Sequence, residues 1–216
     1  MPQIAIPMVI PHDPPILSHD DIREAFFRLY YASGVIVNTT YRGIDTLKCQ
    51  LDLWLYQEMI HELKPDVIIE TGSYKGGSAH FMADQLALNG SGHIFSVDIE
   101  WRERPEHPRI SFLTGRSTDE TIFEQIKRHI DPSDKVMVVL DGDHTCDYVL
   151  SEMLMYAPLV SSGHYLVVED TVIWGQDGGP RAALAEFIKD NKDFEVDVSK
   201  HKFQITFMPY GFLRRK

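Results

Sequence analysis

Lys64-Pro65-Asp66-Val67-Ile68-Ile69-Glu70-Thr71-Gly72-Ser73-Tyr74-Lys75-Gly76-Gly77-Ser78 is the segment that decides the architecture. Lys64-Pro65 closes a helical pattern, Val67-Ile68-Ile69 is a short β-branched run suited to a buried strand, and Ser78 to Leu88 returns to helical spacing. Strand, glycine-rich turn and helix in that order open a parallel α/β sheet. The alternation continues with strands at His93 to Val97, Arg109 to Leu113, Lys135 to Leu140 and His164 to Val168. Helices are expected from the capping-box pattern Ser117-Thr118-Asp119-Glu120 to His129, from about Cys146 to Ala157, and from Pro180 to Lys189. Phe194 to Val198 and Lys202 to Met208 read as the last two strands.

Residues 1–64 read as an N-terminal extension and not as a separate domain, with 65–216 carrying the sheet. Met1 to Leu17 is broken by Pro2, Pro7, Pro11, Pro14 and Pro15 and has no basic segment ahead of it, which disfavours a signal peptide. Ser18-His19-Asp20-Asp21 offers a capped start for a helix bearing Ile22, Ala25, Phe26, Leu29 and Tyr30, and a second helix fits Leu47 to Leu63. This arm and first helix could pack across a subunit interface in a homo-oligomer or fold onto their own sheet.

The 216 residues carry 21 Lys and Arg against 32 Asp and Glu, a formal net charge of −11. A binder of nucleic-acid backbone or anionic membrane would need the opposite sign. No apolar run approaches the roughly 20 residues that span a bilayer. Cys49 and Cys146 are far apart and without metal-ligand spacing, so a reducing cytoplasm is the expected compartment.

Glu70 and the loop Gly72-Ser73-Tyr74-Lys75-Gly76-Gly77-Ser78 lie where open α/β sheets bind ligands, at the carboxyl edge of a strand. The glycines allow close backbone approach and the helix start offers free N–H groups. Neither the dinucleotide fingerprint G-x-G-x-x-G nor the P-loop is present. An acidic residue beside the loop would repel a pyrophosphate but suits a cationic ligand such as the amino group of S-adenosylmethionine; a tight turn with Glu70 merely capping is the alternative. Asp98, ending the second strand, can accept both hydroxyls of a ribose, with Ile99 against an adenine face. Ser117 could meet the adenine edge, act as a helix N-cap, or do both.

Asp141, in Leu140-Asp141-Gly142-Asp143-His144, and Glu169-Asp170 follow two strands that should be neighbours. Three hard oxygen ligands with no thiolate suit Mg²⁺, with Mn²⁺ or Ca²⁺ as alternatives. His144, three residues after Asp141, is placed to take a proton from a hydroxyl at such a metal. Asp143 could orient it, contact substrate or cap the next helix.

Together these residues resemble class I S-adenosylmethionine-dependent methyltransferases, and in detail the cephalosporin hydroxylase-like and rhamnosyl O-methyltransferase family. The resemblance is carried by Gln57-Glu58, Lys64 to Gly72, Gly76-Gly77-Ser78, Leu140 to His144, Glu169-Asp170-Thr171, Gly178-Gly179-Pro180 and Pro209-Tyr210-Gly211-Phe212-Leu213. The layout is also similar to metal-dependent catechol-type O-methyltransferases, whose Glu-x-Gly-x-Tyr-x-Gly-x-Ser pocket pattern falls on Glu70, Gly72, Tyr74, Gly76 and Ser78. Those enzymes carry a lysine base where this chain has His144; related macrolide-sugar O-methyltransferases carry a histidine there, which points away from a catechol toward a less acidic hydroxyl, as on a sugar or glycoside. The resemblance implies a Rossmann-like sandwich with a seven-stranded, mostly parallel sheet and an antiparallel C-terminal strand. It implies a Mg²⁺-dependent O-methyltransferase in which a metal-bound hydroxyl, deprotonated by His144, attacks the sulfonium methyl in line. The loop from Thr171 to Gly179, carrying Trp174 and Gly175, is a candidate lid. Two other readings of these residues are a catalytically silent accessory protein that keeps the cofactor pocket, and a nicotinamide-dependent oxidoreductase, disfavoured by the missing fingerprint.

Overall fold

The computed structural model describes residues 19–172 and 178–216. The proline-broken arm and the candidate lid around Trp174 lie outside the described residues. A seven-stranded sheet forms the centre. Its strands are β3 (Val67–Thr71), β4 (His93–Asp98), β5 (Ile110–Thr114), β6 (Val136–Leu140), β7 (Tyr165–Val168), β8 (Phe194–Val196) and β9 (Phe212–Arg215), in the order β5-β4-β3-β6-β7-β9-β8. All neighbouring pairs from β5 to β7 are parallel, whereas β9 runs antiparallel to both β7 and β8. A further hairpin, β1 (Thr40–Tyr41) with β2 (Ile44–Asp45), turns through Arg42 and Gly43.

Every residue of β3 and β6 is buried, as central parallel strands require when helices cover both faces. The pleat divides β3 between two cores. Ile69 faces the cluster with Val138 of β6, Met153 of α5 (Cys146–Tyr156), Phe187 of α6 (Gly179–Asp190) and Ile126 of α4 (Glu120–Lys127). Ile68 faces Leu55, Tyr56, Met59 and Ile60 of α2 (Gln50–Leu63) and Met82 and Leu86 of α3 (Gly77–Asn89). α2 therefore forms part of one covering layer, although it precedes the first sheet strand in the chain. α1 (His19–Ala32) docks through aromatic rings: Phe27 and Tyr30 pack on Phe207 at centroid distances of 4.8 and 5.3 Å.

Three local expectations are corrected. The alternating apolar residues of Lys202 to Met208 do not form a strand. Phe207 turns toward α1 and donates its backbone N–H to Asp52 of α2 at 2.9 Å, and Phe212–Arg215 takes the strand position. The second helix starts at Gln50, because Leu47 is in the left-handed region with φ of 45° and Cys49 is the extended N-cap. Ser117 does not cap α4. Asp119 is the N-cap residue, and the Ser117 hydroxyl is engaged by Glu152. Among the described residues no helix is long and apolar enough to cross a membrane.

Candidate active site

The carboxyl ends of the parallel strands open into a cavity of about 600 Å³, within the range of small-molecule sites. Gly72, Ser73, Tyr74 and Ser78 line it from the β3–α3 turn, Asp98 and Ile99 from β4, and Ser117 from beyond β5. Asp141 and His144 enter after β6, and Asp170 after β7. Tyr31, Ile36, Val37 and Leu47 close the wall from the residues that precede β3. Ten of the residues singled out in the sequence thus share one space. Glu70, Gly76 and Glu169 do not line it.

Those three act from behind. The Glu70 side chain is wholly buried, and its two carboxylate oxygens accept from Ser78 and Ser96 hydroxyls, each at 2.5 Å. Gly76, with φ of 89°, is the left-handed cap of α3, and a Cβ there would lie 2.8 Å from the Phe112 ring. Gly72 has φ of 85°, and a Cβ there would lie 1.9 Å from the Asp141 carbonyl oxygen. Its bareness lets the β3 and β6 turns touch, which brings the two halves of the cavity together.

Asp98 holds the rim formed by the β3–α3 turn. Its Oδ2 accepts the Tyr74 backbone N–H at 2.6 Å and its Oδ1 accepts that of Glu100 at 2.9 Å. Tyr74 has φ of 45°, a costly conformation for a non-glycine residue, and the Asp98 bond fixes it there. Ile99 is exposed on the rim. The Ser117 hydroxyl faces the cavity from above Glu152, donating to its Oε1 at 2.5 Å, with the Tyr148 hydroxyl 3.0 Å away. Glu152 is wholly buried, its Oε2 has no hydrogen-bond partner, and burial pushes its pKa up to about 7.

Opposite lies the acidic end. Asp141, His144 and Asp170 each present one donor atom, and these atoms lie within 4.8 Å of one another. His144 Nε2 is 2.9 Å from Asp170 Oδ2 without meeting the angle of a directed hydrogen bond. Close Asp170 raises the imidazole pKa above its ordinary value against the opposing effect of burial. Asp170 itself has φ of 53°. Asp143 accepts the Thr145 N–H at 2.7 Å, so it organises the turn into α5. Tyr31, pushed up to about 12 by burial and by Asp170 and Asp141, remains a neutral hydroxyl beside the cluster.

Two residues of the site were not visible in the sequence. Lys48 is 4% exposed, and its ammonium contacts Asp141 and lies 2.6 Å from Glu169 Oε2. Burial opposes its charge, but Asp141 and Glu169 prevail and hold its pKa above the ordinary value. Tyr56 of α2 donates to Glu169 Oε1 at 2.6 Å. Both Glu169 oxygens are therefore occupied from behind, and Glu169 lies outside the three-atom cluster facing the cavity. Lys48 stands in a segment that also holds Asp45, Thr46 and Gln50, so no local pattern marks it as buried, and its partners lie more than ninety residues away.

The sequence family described as Rhamnosyl O-methyltransferase/CmcI matches residues 33–216. The chain belongs to that family. Its relatives include the rhamnosyl O-methyltransferase of Mycobacterium leprae (strain TN), 38% identical over 210 residues that cover 91% of this chain and 92% of the relative. The corresponding enzyme of Mycobacterium tuberculosis (strain ATCC 25618 / H37Rv) is 36% identical over 211 residues, covering 91% of this chain and 86% of its own. Among solved structures, CmcI described with Mg and SAM superimposes with a TM-score of 0.66 at 22% identity, covering 83% of this chain and 77% of its own. MycE, from the mycinamycin pathway and in complex with Mg, SAH and mycinamycin VI, gives 0.50 at 22% identity, covering 62% of this chain and 39% of its own. At these identities the structural likeness establishes the fold, and the family assignment rests on the sequence matches.

Proposed function

We propose that this family member is an S-adenosylmethionine-dependent O-methyltransferase that uses a divalent cation, Mg²⁺ by preference, and methylates a hydroxyl of a sugar or glycosidic small molecule. The observation that carries the reading is the meeting, in one cavity, of the glycine-loop rim bearing Asp98 and the Asp141, His144 and Asp170 cluster. Two carboxylates and an imidazole within 4.8 Å fit a hard divalent ion. Asp141 and Asp170 would hold it, and when bound it supplies positive charge that lowers the pKa of an acceptor hydroxyl.

The chain's own residues do the remaining work. Asp98 and the Tyr74 backbone shape the rim for a ribose, Ile99 lies where an adenine face would rest, and Ser117 presents its hydroxyl to the adenine edge. Gly72 and Ser73 line the approach to the methionine end, with Glu70 fixing Ser78 behind them. His144 is the most open member of the cluster, its side chain 40% exposed against 19% for Asp170. It is assigned as the group that accepts the hydroxyl proton at Nε2, and the Asp170 carboxylate beside that nitrogen stabilises the resulting imidazolium. Catalysis on this reading is mainly orientation and exclusion of water. The acidic surroundings favour binding of a cationic donor more than the step in which its charge is lost.

The relatives' names support a deoxysugar hydroxyl as acceptor, and Tyr31, Ile36 and Val37 supply an apolar wall for its ring or aglycone. The test is transfer of labelled methyl from S-adenosylmethionine to a panel of rhamnosides and other glycosides, with Mg²⁺ and with EDTA. Transfer that needs the metal and falls at least a hundredfold in Asp170→Asn supports the reading. Binding of NADH in place of S-adenosylhomocysteine, or full activity in EDTA, overturns it.

A further inference from the structure

Lys48 lies behind the acidic end of the cavity without lining it, and comes from the extension, on the short segment between β2 and α2. Left-handed Leu47 turns the chain just before it, and Cys49 opens α2 just after it. Its backbone is therefore fixed on both sides, and the Tyr30 hydroxyl donates to its carbonyl at 3.3 Å. The ammonium is directed away from solvent into the gap between Asp141 and Glu169. The side chain is 4% exposed, as is that of Glu169, so neither charge can be satisfied by water.

Asp141, Glu169 and Asp170 would carry three negative charges in a small volume. One ammonium and one divalent ion balance them, whereas a divalent ion alone leaves a net negative charge. Before any ion arrives, Lys48 already offsets one of the two negative charges of the deeper pair. An ion held by Asp141 would share that residue with the Lys48 ammonium and be repelled by it.

Resting on the metal reading above, we infer that Lys48 is the resident counter-cation of the metal site. It keeps the acid cluster folded without metal, and it opposes the divalent ion, holding the ion's affinity down and the ion exchangeable. The extension thereby sets a property of the catalytic centre. Lys48 is a positioning residue on this assignment and touches no reacting atom.

The experiment uses Mn²⁺ as probe, followed by electron paramagnetic resonance and by thermal unfolding in EDTA and in Mn²⁺. Wild-type protein is expected to bind Mn²⁺ and, at the same Mn²⁺ concentration, to gain less in unfolding temperature from it than Lys48→Met does. Lys48→Met is expected to bind Mn²⁺ at least tenfold more tightly, to unfold several degrees lower in EDTA, and to be restored by Mn²⁺. Folding of Lys48→Met only in Mn²⁺ is the extreme form of the same result. Lys48→Met/Glu169→Gln removes one charge of each sign and is expected to fold in EDTA, which guards against a variant that simply fails to fold. Wild type that binds Mn²⁺ while Lys48→Met binds it equally or more weakly overturns this inference and leaves the metal reading standing. A double variant that needs Mn²⁺ to fold also overturns it. Absence of Mn²⁺ binding in wild type and Lys48→Met alike overturns both.

Discussion

Glu152 offers the most direct test of the buried electrostatics behind the cavity wall at Ser117. Its carboxyl is wholly buried beneath Ser117, and burial pushes its pKa up to about 7 against partial opposition from the Ser117 hydroxyl. An acid whose pKa is raised on folding contributes stability below its unfolded value near 4.5 and loses it as pH rises through the folded value near 7. Integrating the proton-binding difference between pH 5 and pH 8 gives a loss of about 2.5 kcal/mol from this one group. Glu152→Gln keeps the volume and an acceptor for Ser117 but removes the titration. The amide's unpaired N–H adds a constant cost, which moves the whole curve without changing its slope. Urea unfolding of both proteins from pH 5 to pH 8 measures the difference. Glu152→Gln should gain on wild type by ~2.5 kcal/mol across that range. Parallel curves would mean that Glu152 titrates normally and that the burial argument is wrong.

Other expectations follow from single contacts. Asp98→Ala removes the acceptor for the Tyr74 and Glu100 N–H groups, and calorimetry should show S-adenosylhomocysteine binding at least tenfold weaker with little change in Mn²⁺ affinity. Gly72→Ala places a Cβ 1.9 Å from the Asp141 carbonyl and should cost several kcal/mol or prevent folding, read by yield and thermal unfolding. Tyr56→Phe leaves Glu169 Oε1 without its donor and should destabilise by about 1.5–3 kcal/mol in chemical unfolding. His144→Ala should lower kcat by roughly 10²- to 10⁴-fold while Mn²⁺ and S-adenosylhomocysteine still bind, measured by labelled methyl transfer.

The sheet and the rim of the site were legible because they are written locally. Val67-Ile68-Ile69 followed by glycines declares strand and turn within a dozen residues, and the strand ends at Asp98, Asp141 and Asp170 fall out of the same alternation. What the sequence concealed is decided by distant partners. Ser117 has the form of a helix cap, but Glu152, thirty-five residues later, takes its hydroxyl. Glu169 has the form of an exposed strand-end ligand, but Tyr56 and Lys48 reach it from more than a hundred residues upstream. Lys202 to Met208 alternates like a strand, but its apolar side chains are claimed by α1, α2 and the sheet, and pairing passes to Phe212–Arg215. Local pattern specified each residue's chemistry in these cases, and long-range packing specified its use.

The placement of β9 between β7 and β8 has a consequence for how the chain is made. β8 emerges from the ribosome before β9, yet in the finished sheet its hydrogen-bond partner is β9. Until Phe212 to Arg215 have been added, β7 presents an unpaired apolar edge and β8 has nothing to join. Nascent chains stalled or cut between these two strands would carry an almost complete core with an adhesive border, the kind of species that chaperones retain and that self-associates when they do not. Quality control of this protein should therefore turn on β9, a strand that contributes no residue to the acidic cluster.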